Sequence, residues 1–238
     1  YASRYNPEQM PPPAFRPADQ APHASGTLDS RYENAPMLEP GDPGAMRADY
    51  AGNVSLIDAQ IGEILCAIAE RGELDNTVIM LTSDHGEHNG DAGLIYKETF
   101  LDGAVRVPML IHTPDTCNSP DSGRVNDSFV EWFDAGPTLV ELAGGELTYP
   151  QFAKSLLPSL TDPSVIHRAE AISEYRQETM ILNHQWKMAV NESMEPYLLI
   201  DRVEDPGENR NLAELPEMKS VEENLTGRIK ERVAQAQL

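Results

Sequence analysis

"LDNTVIMLTSDHG", residues 74–86, is the stretch whose reading decides the fold. The turn-forming "LDN" is followed by an unbroken run of β-branched and apolar side chains. A run without alternation predicts a strand covered on both faces, the mark of a parallel sheet flanked by helices. Asp84 and His85 leave the carboxyl end of that strand as it turns at Gly86, where open α/β sheets place their ligands. A carboxylate and an imidazole side by side suit a divalent cation. Two donors do not complete a metal site, because zinc usually takes three or more protein ligands and hard cations want several oxygens, so further ligands must come from elsewhere. The same pair also suits a plain turn, with Asp84 capping the loop and His85 satisfying backbone groups.

Working outward, "DPGAMRADYAGNVSLIDAQIGEILCAIAERG" precedes this strand and predicts a long helix. Tyr50, Val54, Ile57, Ile61, Ile64 and Ile68 recur in steps of three and four on one face. Asp42 and Pro43 fit the cap and first position, and Gly72 fits the stop. Downstream, the glycine-punctuated loop "GEHNGDAGLIYK" is long enough to bring Lys97 back over the strand end, where its ammonium would hold an anion as a point charge. Glu87, His88 and Asp91 in that loop are further candidate ligands or supports. "AVRVPMLIHTP" predicts a second strand that tolerates Pro108 at an edge or bulge. Arg106 within it needs a carboxylate, with Asp102 or Glu98 the candidate partners.

"VNDSFVEWFDAGPTLVELAGG" reads as a short strand and then a helix capped by Asp134 and stopped by Gly144 and Gly145. Beyond Pro150, "EAISEY", "TMILNH", "QWKMAVN" and "EPYLLID" are short strands joined by tight turns, which predicts an antiparallel sheet. A last helix carries Val221, Leu225, Ile229 and Val233 at four-residue spacing, a stripe able to pack on that sheet. Residues 1–45 hold nine of the 19 prolines, which forbids continuous helix or central strand there. Tyr1, Tyr5, Phe15 and Tyr32 give this stretch aromatic anchors that a free linker does not need. The expected organisation is therefore a proline-rich extended connector over 1–45, an α/β core over 46–150 and a small α+β subdomain over 151–238.

Composition narrows the function. Lys and Arg total 18 against 39 Asp and Glu, a net charge of −21 that repels phosphate backbones and anionic lipid heads. Neither nucleic acid nor a membrane surface is expected as a partner, and no uninterrupted run approaches the ~18 apolar residues of a membrane span. Two cysteines, Cys66 and Cys117, are too few for a disulfide framework and lack metal-ligand spacing. G-x-S-x-G, P-loop and H-E-x-x-H motifs are all absent from the sequence.

Together these segments resemble the sulfatase family of the alkaline phosphatase superfamily. "YAGNVSLIDAQIGEIL" with "GELDNTVIMLTSDHGE" resembles the family's long helix and metal-bearing strand, and "GLIYKETFLDGAVRVPMLI" its lysine segment. "FVEWFDAGPTLVELAG", "HQWKMAV", "YLLIDRVEDPGENRNLAELPE" and the final helix resemble its carboxyl-terminal part. "SDHG" alone is shared across the superfamily, whereas the ordered series is specific. The resemblance implies part of an alkaline-phosphatase-like three-layer α/β sandwich, followed by a small α+β subdomain with an antiparallel sheet. It makes Asp84 and His85 ligands of a divalent cation, calcium first, with manganese, magnesium or zinc as alternatives. Lys97 becomes the ligand of the substrate's sulfate oxygens. Two local departures stand out: Ala92 occupies a position where many relatives have histidine, and His85 one where many have asparagine. The family's nucleophile, a formylglycine made from C/S-x-P-x-R, has no counterpart at Cys66 or Cys117, and the paired aspartates that complete the metal site are missing. The chain therefore resembles the carboxyl-terminal half of a sulfatase. It would work with the missing amino-terminal half on a sulfate-ester small molecule or glycan, with no catalytic nucleophile of its own. The competing readings are a phosphonate or phosphate ester hydrolase of the same superfamily, and a non-catalytic scaffold domain.

Overall fold

The computed structural model describes residues 1–14, 43–117, 122–149 and 151–236. Asp42, Phe15 and Tyr32, named above, lie outside the described residues. The chain divides into two compact units. The first takes in residues 1–14, 43–97, 103–117 and 122; the second takes in 98–102, 123–149 and 151–236.

In the first unit, helix α1 (Pro43–Glu70) starts on proline, whose missing N–H costs nothing at a helix start. It ends before Gly72, which adopts φ +70°, a left-handed angle that glycine takes without a Cβ penalty. Residues 1–14 form two short 3-10 turns, Ala2–Arg4 and Pro7–Gln9, which lie against α1, with the Tyr5 hydroxyl 2.6 Å from Ser55 Oγ. The helix is where the sequence puts it, but its apolar stripe is largely exposed among the described residues. Of its 28 residues only Ala48 and Gly52 are buried, and Ile57 and Ile64 are 58% and 60% exposed. By length and a mean hydropathy of 1.2 the helix also passes a test for crossing a membrane, which counting uninterrupted apolar residues had excluded. Asp58 and Glu63 in its middle, and apolar positions in steps of three and four, instead suit a helix that lays one side on a neighbouring surface.

Strand β1 (Ile79–Thr82) is followed by helical turn α2 (Asp102–Val105), strand β2 (Met109–His112) and helical turn α3 (Pro114–Cys117). β1 and β2 pair antiparallel, with Ile79 opposite His112 and Leu81 opposite Leu110, which corrects the expected parallel neighbour. An apolar run reports burial and says nothing of the direction of the adjacent strand. Burial on both faces is also not met among the described residues, because Leu81 and its partner Leu110 are both exposed. Arg106 follows α2 and is exposed instead of lying inside an apolar strand, while the Asp102 carboxylate takes Lys187 of the second unit's sheet.

The second unit matches its sequence closely. Helix α4 (Ala135–Leu142) is preceded by a 3-10 turn (Trp132–Asp134), not by the expected short strand, and ends at Gly144 with φ +77°. A short helix α5 (Leu157–Thr161) leads to strands β3 (Glu170–Tyr175), β4 (Glu178–Asn183), β5 (Trp186–Val190) and β6 (Pro196–Asp201). These pair in chain order, all antiparallel. Helix α6 (Lys219–Gln235) drops Leu225 and Ile229 into a core with Ile181, Met188, Val190, Leu199 and Leu212, flanked by Val221 and Val233. Each such fully buried aliphatic side chain contributes about 1.5–3 kcal/mol.

Asp134 stands at the cap position of α4 but its side chain makes no capping bond there, which corrects the expected cap; it is a buried hub. Its carboxylate accepts from Glu131 N, Lys154 N, His167 Nε2 and the Arg168 guanidinium, while Glu131 receives Ile172 N and Arg232. Burial pushes the Asp134 carboxyl up, but the bonds from Arg168, Lys154, His167 and Glu131 outweigh it and hold the group below the usual carboxylate range.

Candidate functional site

The turn after β1 is shaped by its own short-range bonds. Ser83 Oγ donates to His85 O at 2.8 Å, and the Asp84 carboxylate accepts His85 N at 2.9 Å. Gly86 donates its N–H to Ala104 O at 2.8 Å. A Cβ on Gly86 would stand 2.1 Å from Gly103 O, so only glycine lets the turn approach the 103–104 backbone this closely.

His85 Nδ1 lies 2.9 Å from Gly86 O. A carbonyl only accepts, so the ring proton sits on Nδ1 and the lone pair on Nε2, the form in which imidazole binds metals. That Nε2 is 3.5 Å from Asp84 Oδ2, and both side chains are open, 41% and 76% exposed. Two donors this far apart, one nitrogen and one oxygen, fit two ligands of a single divalent cation at bond lengths of roughly 2.0–2.4 Å. The backbone carbonyl behind His85 acts as the outer partner that fixes a ligating ring. Among the described residues no group of three or more His, Cys, Asp or Glu side chains is gathered to hold a metal. Within the described residues the pair therefore offers two donors and no third.

The loop after the turn folds back on it. Glu87 Oε1 accepts Tyr96 N at 2.6 Å and Asn89 N at 3.1 Å, and His88 N donates to Tyr96 O at 2.9 Å. Both backbone groups of Tyr96 are therefore held by residues two and three beyond His85, and Lys97 follows directly, exposed. Asn89, Ala92 and Tyr96 have φ of 52°, 57° and 69°, left-handed angles that side-chain-bearing residues seldom adopt. Such strain gathers where surrounding structure dictates the backbone for a purpose.

Of Glu87, His88 and Asp91, expected as further ligands or supports, Glu87 is taken up by the loop itself and the other two by neighbouring segments. Asp91 Oδ1 accepts Ala14 N at 2.8 Å and pairs with Arg47, and His88 is buried beside Gly103. The tether through Ser83 was not singled out from sequence, whereas Glu87 was named there as a ligand or support and proves to be a support. Gly86 carried a visible signal, as a glycine directly after the two donors.

Comparison with known proteins follows this geometry. The sulfatase family matches residues 9–145, and the family described as N-sulphoglucosamine sulphohydrolase, C-terminal, matches residues 90–235. The chain belongs to the sulfatase family, and its α/β fold is that of alkaline-phosphatase-like sulfatases. It is 31% identical to the choline-sulfatase of Rhizobium meliloti (strain 1021) over 83% of this chain and 39% of that one. It is likewise 31% identical to the multifunctional alkaline phosphatase superfamily protein PehA of Trinickia caryophylli, over 68% of this chain and 34% of that one. Among solved structures, phosphonate monoester hydrolase SpPMH from Silicibacter pomeroyi superposes with a TM-score of 0.83 at 25% identity, covering 98% of this chain and 52% of that one. The chain spans about a third of these curated relatives' length and about half of the solved structure.

Proposed function

We propose that this chain supplies one wall of the active site of a metal-dependent sulfuric ester hydrolase. The observation that carries this reading is the Asp84–His85 pair, with Nδ1 occupied by Gly86 O and Nε2 turned towards Asp84 Oδ2 at 3.5 Å, on a loop that ties itself back next to Lys97. Asp84 and His85 would hold a divalent cation, calcium in the first place, with manganese, magnesium or zinc admitted by the nitrogen donor. When bound, that ion supplies Lewis-acid charge at the ester's non-bridging oxygens. Lys97 orients the sulfate group and stabilises the negative charge that grows on it. The nucleophile, a formylglycine by family resemblance, and the remaining metal ligands come from the amino-terminal half of the fold. The same half covers the open stripe of α1 and the Leu81–Leu110 face. With −21 net charge the chain does not take nucleic acid as substrate.

A second reading, hydrolysis of a phosphonate or phosphate ester, draws support from the likeness to SpPMH and to the phosphonate monoester hydrolase of Agrobacterium radiobacter, the latter with a TM-score of 0.81. The test is a rate comparison in the complete protein between 4-nitrophenyl sulfate and a phenyl phosphonate monoester, with Asp84→Ala and His85→Ala alongside. Faster sulfate cleavage, lost in both variants together with metal binding, is the expected result. Preference for the phosphonate establishes the second reading. Metal binding and turnover indifferent to both substitutions overturn the site itself.

A further inference from the structure

We propose that Asp91 is a positioning residue: it holds the loop between His85 and Lys97 in its working shape by fastening it to residues 1–14 and to the start of α1. The inference rests on the reading of Lys97 as the sulfate ligand. Every group involved belongs to the first unit. Asp91 Oδ1 accepts Ala14 N at 2.8 Å and also pairs with the guanidinium of Arg47, a residue of the second turn of α1. Ala92 N donates to Ala14 O at 2.7 Å, so both backbone groups of Ala14 are gripped by the loop. Arg47 is only 13% exposed, which sets this ion pair apart from the solvated surface pairs that contribute little.

The loop's own backbone explains why such a clamp is needed. Ala92 holds φ 57°, between Asn89 at 52° and Tyr96 at 69°. A Cβ makes these angles unfavourable, so a loop that contains them keeps its shape only where its surroundings dictate it. Asp91 and Ala92 are where the connector and α1 take hold. From there the hold passes along the loop: Asp91 N donates to His88 O at 2.9 Å, Leu94 N to Asp91 O at 3.0 Å and Gly90 N to Leu94 O at 2.8 Å. His88 N in turn donates to Tyr96 O at 2.9 Å, and Tyr96 is the residue directly before Lys97. With that backbone start fixed, the long lysine side chain loses less freedom on binding an anion. Asp91 touches neither metal nor substrate in this scheme; its action passes through the backbone of residues 88–96.

The informative variant is Asp91→Ala, made in the complete protein, because it removes the grip on Ala14 and on Arg47 together. Arg47→Met, which leaves the Ala14 bonds in place, is the milder companion should Asp91→Ala fold poorly. Asp91→Ala is expected to speed amide hydrogen exchange at residues 88–96 by about tenfold or more, and Arg47→Met to do so by less. Inhibition by inorganic sulfate should weaken by about tenfold in Asp91→Ala, while metal affinity, measured by calorimetry, stays within about twofold. Asp91→Asn, which keeps an acceptor for Ala14 N, should recover part of the sulfate affinity. Lys97→Ala should lose sulfate affinity too, and the Asp91→Ala/Lys97→Ala pair should lose no more than Lys97→Ala alone, since the two changes remove one effect. Unchanged exchange at 88–96, losses that multiply in the double variant, or sulfate inhibition kept in Asp91→Ala but lost in Lys97→Ala overturn the positioning role. Undiminished sulfate inhibition in Lys97→Ala overturns the reading of Lys97 itself. Exchange at 88–96 then still reports whether Asp91 orders the loop, so the two failures are told apart.

Discussion

The two units use the same three kinds of side chain in opposite ways. In the second unit Asp134 and His167 meet at 2.9 Å with almost no exposure, and Lys187 is sealed between two carboxylates. In the first, Asp84 and His85 stand 3.5 Å apart and open, and Lys97 is exposed. Where Arg168, His167 and two backbone N–H groups fill both oxygens of Asp134, the carboxylate serves the fold. Where a carboxylate and an imidazole lone pair converge without such closure, they are available to something that is not protein. The apolar surface divides in the same way: α6 buries its stripe in the second unit's core, whereas α1 leaves its own uncovered.

This contrast breaks most readily at Asp134. Asp134→Ala leaves Arg168 and His167 buried without their carboxylate and should cost about 3–5 kcal/mol of stability, read by urea unfolding of the chain. Titrating the same group is the graded version. Its pKa is depressed in the fold, so as pH falls below the ordinary aspartate value of about 3.9 the unfolded chain takes up the proton first. Stability from this carboxylate is complete above that value and is lost as pH drops through the lower folded one, a decline in melting temperature that Asp134→Asn should flatten. Gly86→Ala comes next. Its Cβ must displace Gly103 O, so a cost of about 1–3 kcal/mol is expected, with weakened metal binding in the complete protein measured by calorimetry. Asp84→Ala sharpens the comparison from the other side: an unfolding free energy within about 0.5 kcal/mol of the parent, yet metal binding abolished. An Asp84→Ala loss as large as that of Asp134→Ala would erase the distinction between the units.

Much of the fold was legible because local pattern and tertiary packing agree. Steps of three and four gave α1, four-residue spacing gave α6, and short runs between tight turns gave β3 to β6. The donors Asp84 and His85 were legible from their place at a strand end. Strand direction was not, because apolar residues carry no sense of polarity, and β2 runs antiparallel to β1. The exposure of α1 was not legible either, since a stripe states that a helix wants a partner without saying where the partner is. The buried charges were the hardest. Lys187 in "QWKMAV" flags a lysine among apolar residues, but its partner Asp102 lies 85 positions earlier and nothing local connects them. Asp134 looked like a simple cap because its charged partners come from residues 167–168.

The excursion of residues 98–102 carries a consequence for biosynthesis. Ribosomes build chains from the amino terminus at about 5–20 residues per second, so Asp102 is made roughly 4–17 s before the lysine that will seat it. During that interval residues 98–102 wait for the unit to which they belong. The buried ion pairs of Lys187 with Asp102 and Glu208 therefore close only after β5 has emerged, and a nascent chain stalled before that strand would leave the Asp102 carboxylate without its ammonium.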